Sequence, residues 1–328
     1  MGKTVLSVEN LSTFYKTDKG ISRAVENVSF TVEEGEILGL IGESGCGKST
    51  VAQSILRLIE YPGKVVKGKV FLHDKELISA SEAALYDIRW REISVIPQSA
   101  MNALNPVHRI GEQIMEAILI HEHVSKKEAL ERTKVLLELV GIDRDRWKSY
   151  PHEFSGGMKQ RVAIAMALAC YPKMIISDES TTGLDVLTQS QVIALLKDLQ
   201  RKMNLAIILI SHDLPMVTSI SDKIAIMYAG KLVEWASTDD ILKDARHPYS
   251  RALLDATPDL VNRDKKIVSI PGTVPNLVNI KSCCRFHTRC PFAFKRCKVE
   301  EPEFKEVKPG HFAACFLEEE NHELTYTS

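Results

Sequence analysis

The stretch "GESGCGKST", Gly42 to Thr50, decides how this chain reads. It follows the apolar run "EILGLI" and opens a helical pattern, the strand–loop–helix context that a phosphate-binding loop requires. Gly42, Gly45 and Gly47 let the backbone turn tightly, so that N–H groups along the loop, those of Glu43, Ser44 and Cys46 included, can face phosphate oxygens. The helix N-terminus adds a favourable dipole. Lys48 supplies a point charge for the β- and γ-phosphates, and Ser49, with Thr50 beside it, a hydroxyl for Mg²⁺. A glycine-rich turn with an incidental lysine is the bland alternative, and the flanking strand and helix weigh against it. Nothing in the sequence marks the Cys46 thiol as reactive.

Working outward, short apolar runs at Ile37–Ile41, Ile93–Ile96, Met174–Ile176 and Leu205–Ile210 read as buried strands. Helical patterns at 49–59, 111–120, 126–140, 156–170 and 187–203 follow or separate them. Strands alternating with helices predict an α/β core with a mainly parallel sheet. Residues about 99–165 carry no strand-like run and read as a helical insertion. After about residue 240 the chain turns proline-rich and irregular, from Pro248 to Pro309. The expected organisation is a core domain over 1–240 and an extension over 241–328.

Composition sets bounds. The 328 residues are 45% hydrophobic and 26% charged, which predicts a packed soluble core. A formal net charge of −1 gives no support to nucleic-acid binding by bulk basicity. The first residues, "MGKTVLSVENLSTFYK", lack a signal-like apolar core, and "LAIILI" is far too short to cross a bilayer. A cytosolic chain is expected, its membrane contact made through partners.

Two further polar breaks interrupt buried runs. In "MIISDES" an apolar strand ends in Asp178, placed to hold Mg²⁺ through water, and Glu179, placed to polarise an attacking water. In "LISHDL", His212 follows a buried run directly and can reach a γ-phosphate from a strand's C-terminal edge. "FSGGMKQR" starts a helix, with Ser155 as N-cap; Ser155, Gly156 and Gly157 then form a second anion site at a helix N-terminus. Taken singly, each is also what an ordinary capped strand or helix would show.

Together these motifs resemble the ATP-binding-cassette (ABC) ATPases. The resemblance implies the fold of that nucleotide-binding domain, ATP and Mg²⁺ as cofactors, and two cassettes packed head to tail, each ATP held by one phosphate loop and the other chain's signature motif. It implies that Gln98 in "VIPQS" senses Mg²⁺ and couples to the transmembrane partner, that Tyr15 stacks on adenine with Phe14 as fallback, and that Asp185 communicates across the dimer. The chain departs from the family at Phe154, Met158 and Ser180; the last puts in question the geometry just after Glu179.

"QSAMNALNPV" (98–107), "HPYSRALLDATPDL" (247–260) and "IPGTVPNL" (270–277) resemble the oligopeptide/dipeptide importer branch. That implies a second ATPase subunit, as heterodimer or, alone, as homodimer. It also implies two transmembrane permease subunits with 98–107 docking on them, an extracellular substrate-binding protein, and a place at the cytoplasmic face of the membrane. Nickel and oligosaccharide importers share the branch. A soluble cassette protein is the rival class, but such chains commonly carry two fused cassettes or a long coiled-coil insertion.

The tail holds five of the seven cysteines, in "CCRFHTRCPFAFKRC" (283–297) and at Cys315. A reducing compartment argues against disulfides. Cys284, Cys290, Cys297 and Cys315 have the spacing C-x5-C-x6-C-x17-C, which suits four thiolates on zinc or on a [4Fe–4S] cluster. The absence of a tight C-x2-4-C knuckle and Pro291 directly after Cys290 lean toward the cluster, as does the branch, which places the ligand at Cys284 rather than Cys283. Arg285, Arg289, Lys295 and Arg296 read as charges offsetting an anionic cluster, or as a solvated face.

Overall fold

The computed structural model describes residues 2–98, 103–257 and 269–319. In chain order the elements are β1 (Thr4–Thr17), β2 (Gly20–Glu33), β3 (Ile37–Ile41), α1 (Lys48–Ile55), β4 (Gly63–Leu72), β5 (Lys75–Glu76), α2 (Glu82–Ile88), β6 (Ile93–Ile96), α3 (Ile110–His121), α4 (Lys126–Leu139) and α5 (Gly156–Ala167). There follow β7 (Met174–Asp178), α6 (Val186–Met203), β8 (Ala206–Ser211), α7 (Leu214–Thr218), β9 (Lys223–Tyr228), β10 (Lys231–Ser237), α8 (Thr238–Asp244), α9 (Pro248–Asp255), β11 (Lys305–Lys308) and β12 (His311–Ala313). The chain divides into two compact units, one of Met1–Ser7, Thr31–Ile37 and Phe71–Ser211, the other of Val8–Phe30, Leu38–Val70 and His212–Ser328.

In the first unit, β6, β7 and β8 run parallel, with Ile93 opposite Met174 and Met174 opposite Ala206. Every residue of β7 and β8 is buried, and strands covered on both faces must be apolar along their whole length. That is why they appear in the sequence as unbroken runs. Between β6 and β7, α3, α4, two 3₁₀ turns and α5 follow one another, with no strand among the described residues. Ile110, Ile114 and Ile118 of α3, at helical spacing, are fully buried, as are Leu136 and Leu137 of α4. Ser125 caps α4 by accepting the Glu128 N–H at 3.2 Å.

In the second unit, β3 pairs parallel with β9, Leu38 opposite Lys223. Antiparallel partners follow: β10 against β9, β12 against β10, β11 against β12. The tail is thus less irregular than its prolines suggest, for it adds a short hairpin to the edge of β10, with Glu234 opposite Ala313. Glu234 is fully buried and accepts three donors: the N–H groups of Arg246 (2.6 Å) and His247 (2.9 Å) and the His311 ring at 2.7 Å. A buried carboxylate so satisfied joins β10, the start of α9 and β12. The described tail residues group with the loop at 42–50 in this second unit.

Candidate nucleotide site

The second unit carries the 42–50 loop, between β3 and α1. All three of its glycines have φ in the left-handed half of the map: +152° at Gly42, +77° at Gly45 and +105° at Gly47. At two of them the space is taken as well. A Cβ on Gly42 would lie 2.2 Å from the Met227 carbonyl oxygen, and one on Gly47 2.2 Å from that of Ala24. Glycine is therefore required at both for two reasons. The Lys48 ammonium is buried and donates to the carbonyls of Gly42 (2.7 Å) and Glu43 (3.2 Å), which curls the loop around it. The Cys46 N–H is used inside the loop, on the Glu43 carbonyl at 3.2 Å, and its own carbonyl accepts the Gly230 N–H at 2.8 Å. Burial pushes the Cys46 thiol above its usual pKa against the pull of Lys48, which agrees with an inert side chain. Ser44 and Gly45 are exposed at the tip, and Ser49 and Thr50 half-exposed at the start of α1. A tight backbone cradle, a helix start and one cation suit the chemistry of a nucleotide phosphate with its Mg²⁺.

Glu43 differs from the rest of the loop. Its N–H donates to the Tyr249 hydroxyl at 3.0 Å, and its two carboxylate oxygens accept from Arg289 at 2.6 and 2.9 Å. These groups are committed to the protein frame and do not face a ligand. Arg285 and Arg289 do not lie on a solvated face: both are buried. Arg285 donates to the Ala229 carbonyl and pairs with Glu26. Tyr15 is half-buried on β1, and a Cβ at Gly63 would lie 2.5 Å from its ring, so glycine there leaves the ring room. Phe14 faces the Arg23 guanidinium instead, 5.8 Å from its ring centre. His212 directly follows β8 and is exposed.

The first unit holds the acidic pair and its neighbours. Asp178 ends β7, buried. Glu179 follows with φ +42°, a left-handed conformation that costs a non-glycine residue about 1–2 kcal/mol and is found where the surroundings over-determine it. Its N–H donates to Ile210 at 2.9 Å and its carbonyl accepts from Thr182 at 3.1 Å. Ser180, where the family has proline, is buried and shares a 2.6 Å hydrogen bond with Ser177, which braces the turn from below. Gln98 reaches Glu179, its amide donating to the carboxylate at 2.7 Å. Ser155 caps α5 by accepting the Met158 N–H at 3.4 Å; it and Gly156 are exposed. Gly157 is held small by α6, since a Cβ would lie 2.4 Å from Thr188 Cγ2. Asp185, read as a cross-dimer contact, here caps α6 through Thr188 at 2.9 Å. Of the segment 98–107, residues 99–102 lie outside the described residues, as do 258–260 of the second branch motif. In the described remainder Gln113 fastens the chain, accepting from Asn105 at 2.9 Å and donating to its carbonyl at 3.0 Å, while Val107 is exposed.

Among the tail cysteines, burial pushes the thiols of Cys284 and Cys315 up to about 12 and that of Cys290 up to about 11. The backbone at Phe286, Leu317 and Phe292, in each case two residues further on, pulls the other way but does not offset burial. The thiols also stand near enough to raise one another's pKa, Cys284 feeling Cys297 and Cys290, and Cys315 feeling Cys284 and Cys290. As placed they do not converge: among the described residues no three His, Cys, Asp or Glu side chains form a group that could hold a metal ion.

The family model described as "ABC transporter" matches residues 25–182, and that described as "Oligopeptide/dipeptide transporter, C-terminal region" matches 233–297. The chain is 44% identical to the probable peptide ABC transporter ATP-binding protein y4tR of Sinorhizobium fredii over 320 residues, 96% of each chain. It is 44% identical to the oligopeptide transport ATP-binding protein AppD of Bacillus subtilis, covering 97% of this chain and 98% of that one. The dipeptide transport ATP-binding protein DppD of Escherichia coli is 42% identical, with 95% and 96% covered. Among solved structures, the dimeric bacterial ABC transporter cassette MJ0796 superposes with a TM-score of 0.64 at 26% identity, over 71% of this chain and 98% of that one. CbiO1 of Clostridium perfringens, part of the ABC transporter complex cbiONQ, superposes at 0.65 and 25%, over 74% and 92%. Fold and loop define an ABC-type ATPase. Within that class the chain belongs to the family of ATP-binding subunits of oligopeptide and dipeptide transporters.

Proposed function

We propose that this ATPase binds ATP on the 42–50 loop and hydrolyses it with Glu179 orienting the attacking water, to drive import of di- or oligopeptides through separate membrane subunits. Residues 1–240 act as the ATPase and 241–328 as the importer-type extension. The observation that carries the reading is the Glu179 turn: a non-glycine residue in left-handed backbone, at the end of a buried strand, with its carboxylate hydrogen-bonded to Gln98. Bound Mg²⁺ would offset phosphate charge; Ser49, Gln98 and Asp178 would hold it. Lys48 would attract the phosphates, His212 the γ-phosphate end, and Tyr15 the adenine face. Glu179→Gln keeps the shape and removes the charge that aligns water. ATP binding is expected to persist while kcat falls by about a hundredfold or more. Near-normal turnover in that variant would sink the assignment.

Ser155, Gly156 and Gly157 serve a second cassette's nucleotide, in a heterodimer with a related ATPase subunit. Asn105 to Val107 lie in the segment that docks on the two permeases, and the substrate arrives by way of an extracellular binding protein. Among the described residues no helix is long and apolar enough to cross a membrane. A peripheral place at the cytoplasmic face follows from the partners. The family similarity favours peptide cargo over nickel or an oligosaccharide.

Cys284, Cys290, Cys297 and Cys315 are proposed to hold a [4Fe–4S] cluster. Supporting it are the C-x5-C-x6-C-x17-C spacing and four thiols that lie in one region of the tail, near enough to raise one another's pKa. The cluster would cross-link an extension with little apolar core of its own. Anaerobic purification should give brown protein with about four irons per chain. A colourless protein with one zinc and no iron would favour the zinc alternative instead.

A further inference from the structure

The tail does not merely flank the phosphate loop; it holds it. Arg289 sits one residue before Cys290, with its side chain 3% exposed. A guanidinium has five N–H donors, and all five are matched here. Nε donates to the Pro271 carbonyl at 2.7 Å, Nη1 to Glu43 at 2.6 Å and to the Tyr228 hydroxyl at 3.3 Å, and Nη2 to Glu43 at 2.9 Å and to the Ile270 carbonyl at 3.3 Å. A planar fork held on every side has one orientation, and it fixes a carboxylate bidentately.

The carboxylate belongs to Glu43, and Glu43 is equally bound on its other groups. Its N–H goes to Tyr249, and its carbonyl accepts from Lys48 and Cys46. Tyr249 is itself fixed: fully buried against Tyr228 and Phe286, with ring centres 4.6 and 5.4 Å away, at the start of a helix capped by His247 Nδ1. A second route reaches the loop's other side. Arg285 grips the Ala229 carbonyl, and the next residue, Gly230, donates to the Cys46 carbonyl. Segment 283–297 therefore touches the loop through Glu43 and, one residue removed, through Cys46.

We propose that Arg289 is a positioning residue for the nucleotide site, and that through the Arg289–Glu43 pair the cysteine-bearing extension sets the ATP affinity of the phosphate loop. The proposal rests on residues 42–50 being that loop, and holds whether the cysteines carry iron or zinc. A loop whose first turn is no longer braced must be ordered by the nucleotide itself, which weakens binding without altering the reacting groups.

The test is a double-mutant cycle in the full-length chain, read by equilibrium binding of Mg·ATP, by KM against kcat, and by metal content and thermal midpoint. Arg289→Gln and Glu43→Gln are each expected to weaken ATP binding about tenfold, the double variant no more than either single one, with KM raised and kcat at saturation held. Arg289→Lys, which keeps charge and loses the fork, should recover only part. If Arg289→Gln fails to fold, Glu43→Gln with Tyr249→Phe repeats the test from the loop side, and both should again weaken ATP binding. Unchanged affinity in the single variants, or effects that simply add in the double, overturns the coupling. Lys48→Ala separates this from the loop assignment. If it abolishes ATP binding while Arg289→Gln has no effect, only the coupling fails; if Lys48→Ala also binds normally, the loop reading itself is wrong.

Discussion

Two helix N-termini carry the anion chemistry assigned to this chain, and they are built on opposite plans. At α1 the loop before the helix is packed from outside: carbonyls of Met227 and Ala24 fill the places where side chains would be, Lys48 is buried within it, and Tyr249 and Arg289 hold Glu43. At α5 the helix starts in solvent, Ser155 and Gly156 are exposed, and among the described residues the side-chain cap is Ser155's own. The first geometry is imposed by the rest of the chain. The second is local, and any anion it takes must compete with water and with the Ser155 hydroxyl. One end is closed in by its own chain; the other opens to solvent.

The sharpest way to break that contrast is to put the same methyl group on both. Gly47→Ala places a Cβ 2.2 Å from a backbone carbonyl at φ +105°, where neither the neighbour nor the residue can adapt cheaply. A loss of about 3 kcal/mol or more and no measurable ATP binding are expected. Gly156 begins α5 without a left-handed φ, so Gly156→Ala should change stability by no more than about 0.5 kcal/mol. Denaturant unfolding of the two variants decides it; similar losses would erase the distinction.

A smaller effect tests the brace behind the α1 loop. His247 is fully buried and caps the helix that presents Tyr249, and burial lowers its pKa to about 4. A folded pKa below the unfolded value means that the unfolded chain binds the proton first. Stability is therefore full above about pH 6.5 and is lost as pH falls toward 4. Between pH 7 and pH 5 the loss from this residue is about 2 kcal/mol. His247→Gln should cost some stability at pH 7 but remove that part of the acid dependence. An unaltered slope between pH 7 and pH 5 would place the acid sensitivity elsewhere.

The same contrast explains what the sequence could disclose. Local geometry writes itself locally: the three loop glycines, the Ser155 cap, and β7 and β8 as unbroken apolar runs were all legible. Long-range geometry was not. Arg289 and Glu43 are 246 positions apart, and no periodicity links them, so Arg289 read as a charge offsetting a cluster or on a solvated face. "HPY" could be matched to a family but not explained until His247 was seen to cap α9 and Tyr249 to reach the loop. β1 and β2, each of 14 residues, mix buried and exposed positions without strict alternation, and gave no strand signal. The tail hairpin is short, its outer strand β11 is polar, and β12 pairs with β10.

The smallest stability effect carries the most information about the open end. Ser155→Ala removes one cap and should cost about 1 kcal/mol. Ser155→Asp keeps a capping oxygen and suits the helix dipole, so its stability should stay within about 0.5 kcal/mol of the parent. Chemically the two variants differ at one point: aspartate places a negative charge where a partner's phosphate would approach. If α5 serves only its own fold, Ser155→Asp is the milder change in every assay. If it completes a second cassette's nucleotide site, the order inverts. Ser155→Asp would then bind ATP normally as an isolated chain yet lose hydrolysis in the assembled ATPase pair more completely than Ser155→Ala. Paired measurements of unfolding midpoint and of hydrolysis with the partner subunit separate the two. A Ser155→Asp chain that hydrolyses ATP as well as Ser155→Ala would leave this helix start a plain cap.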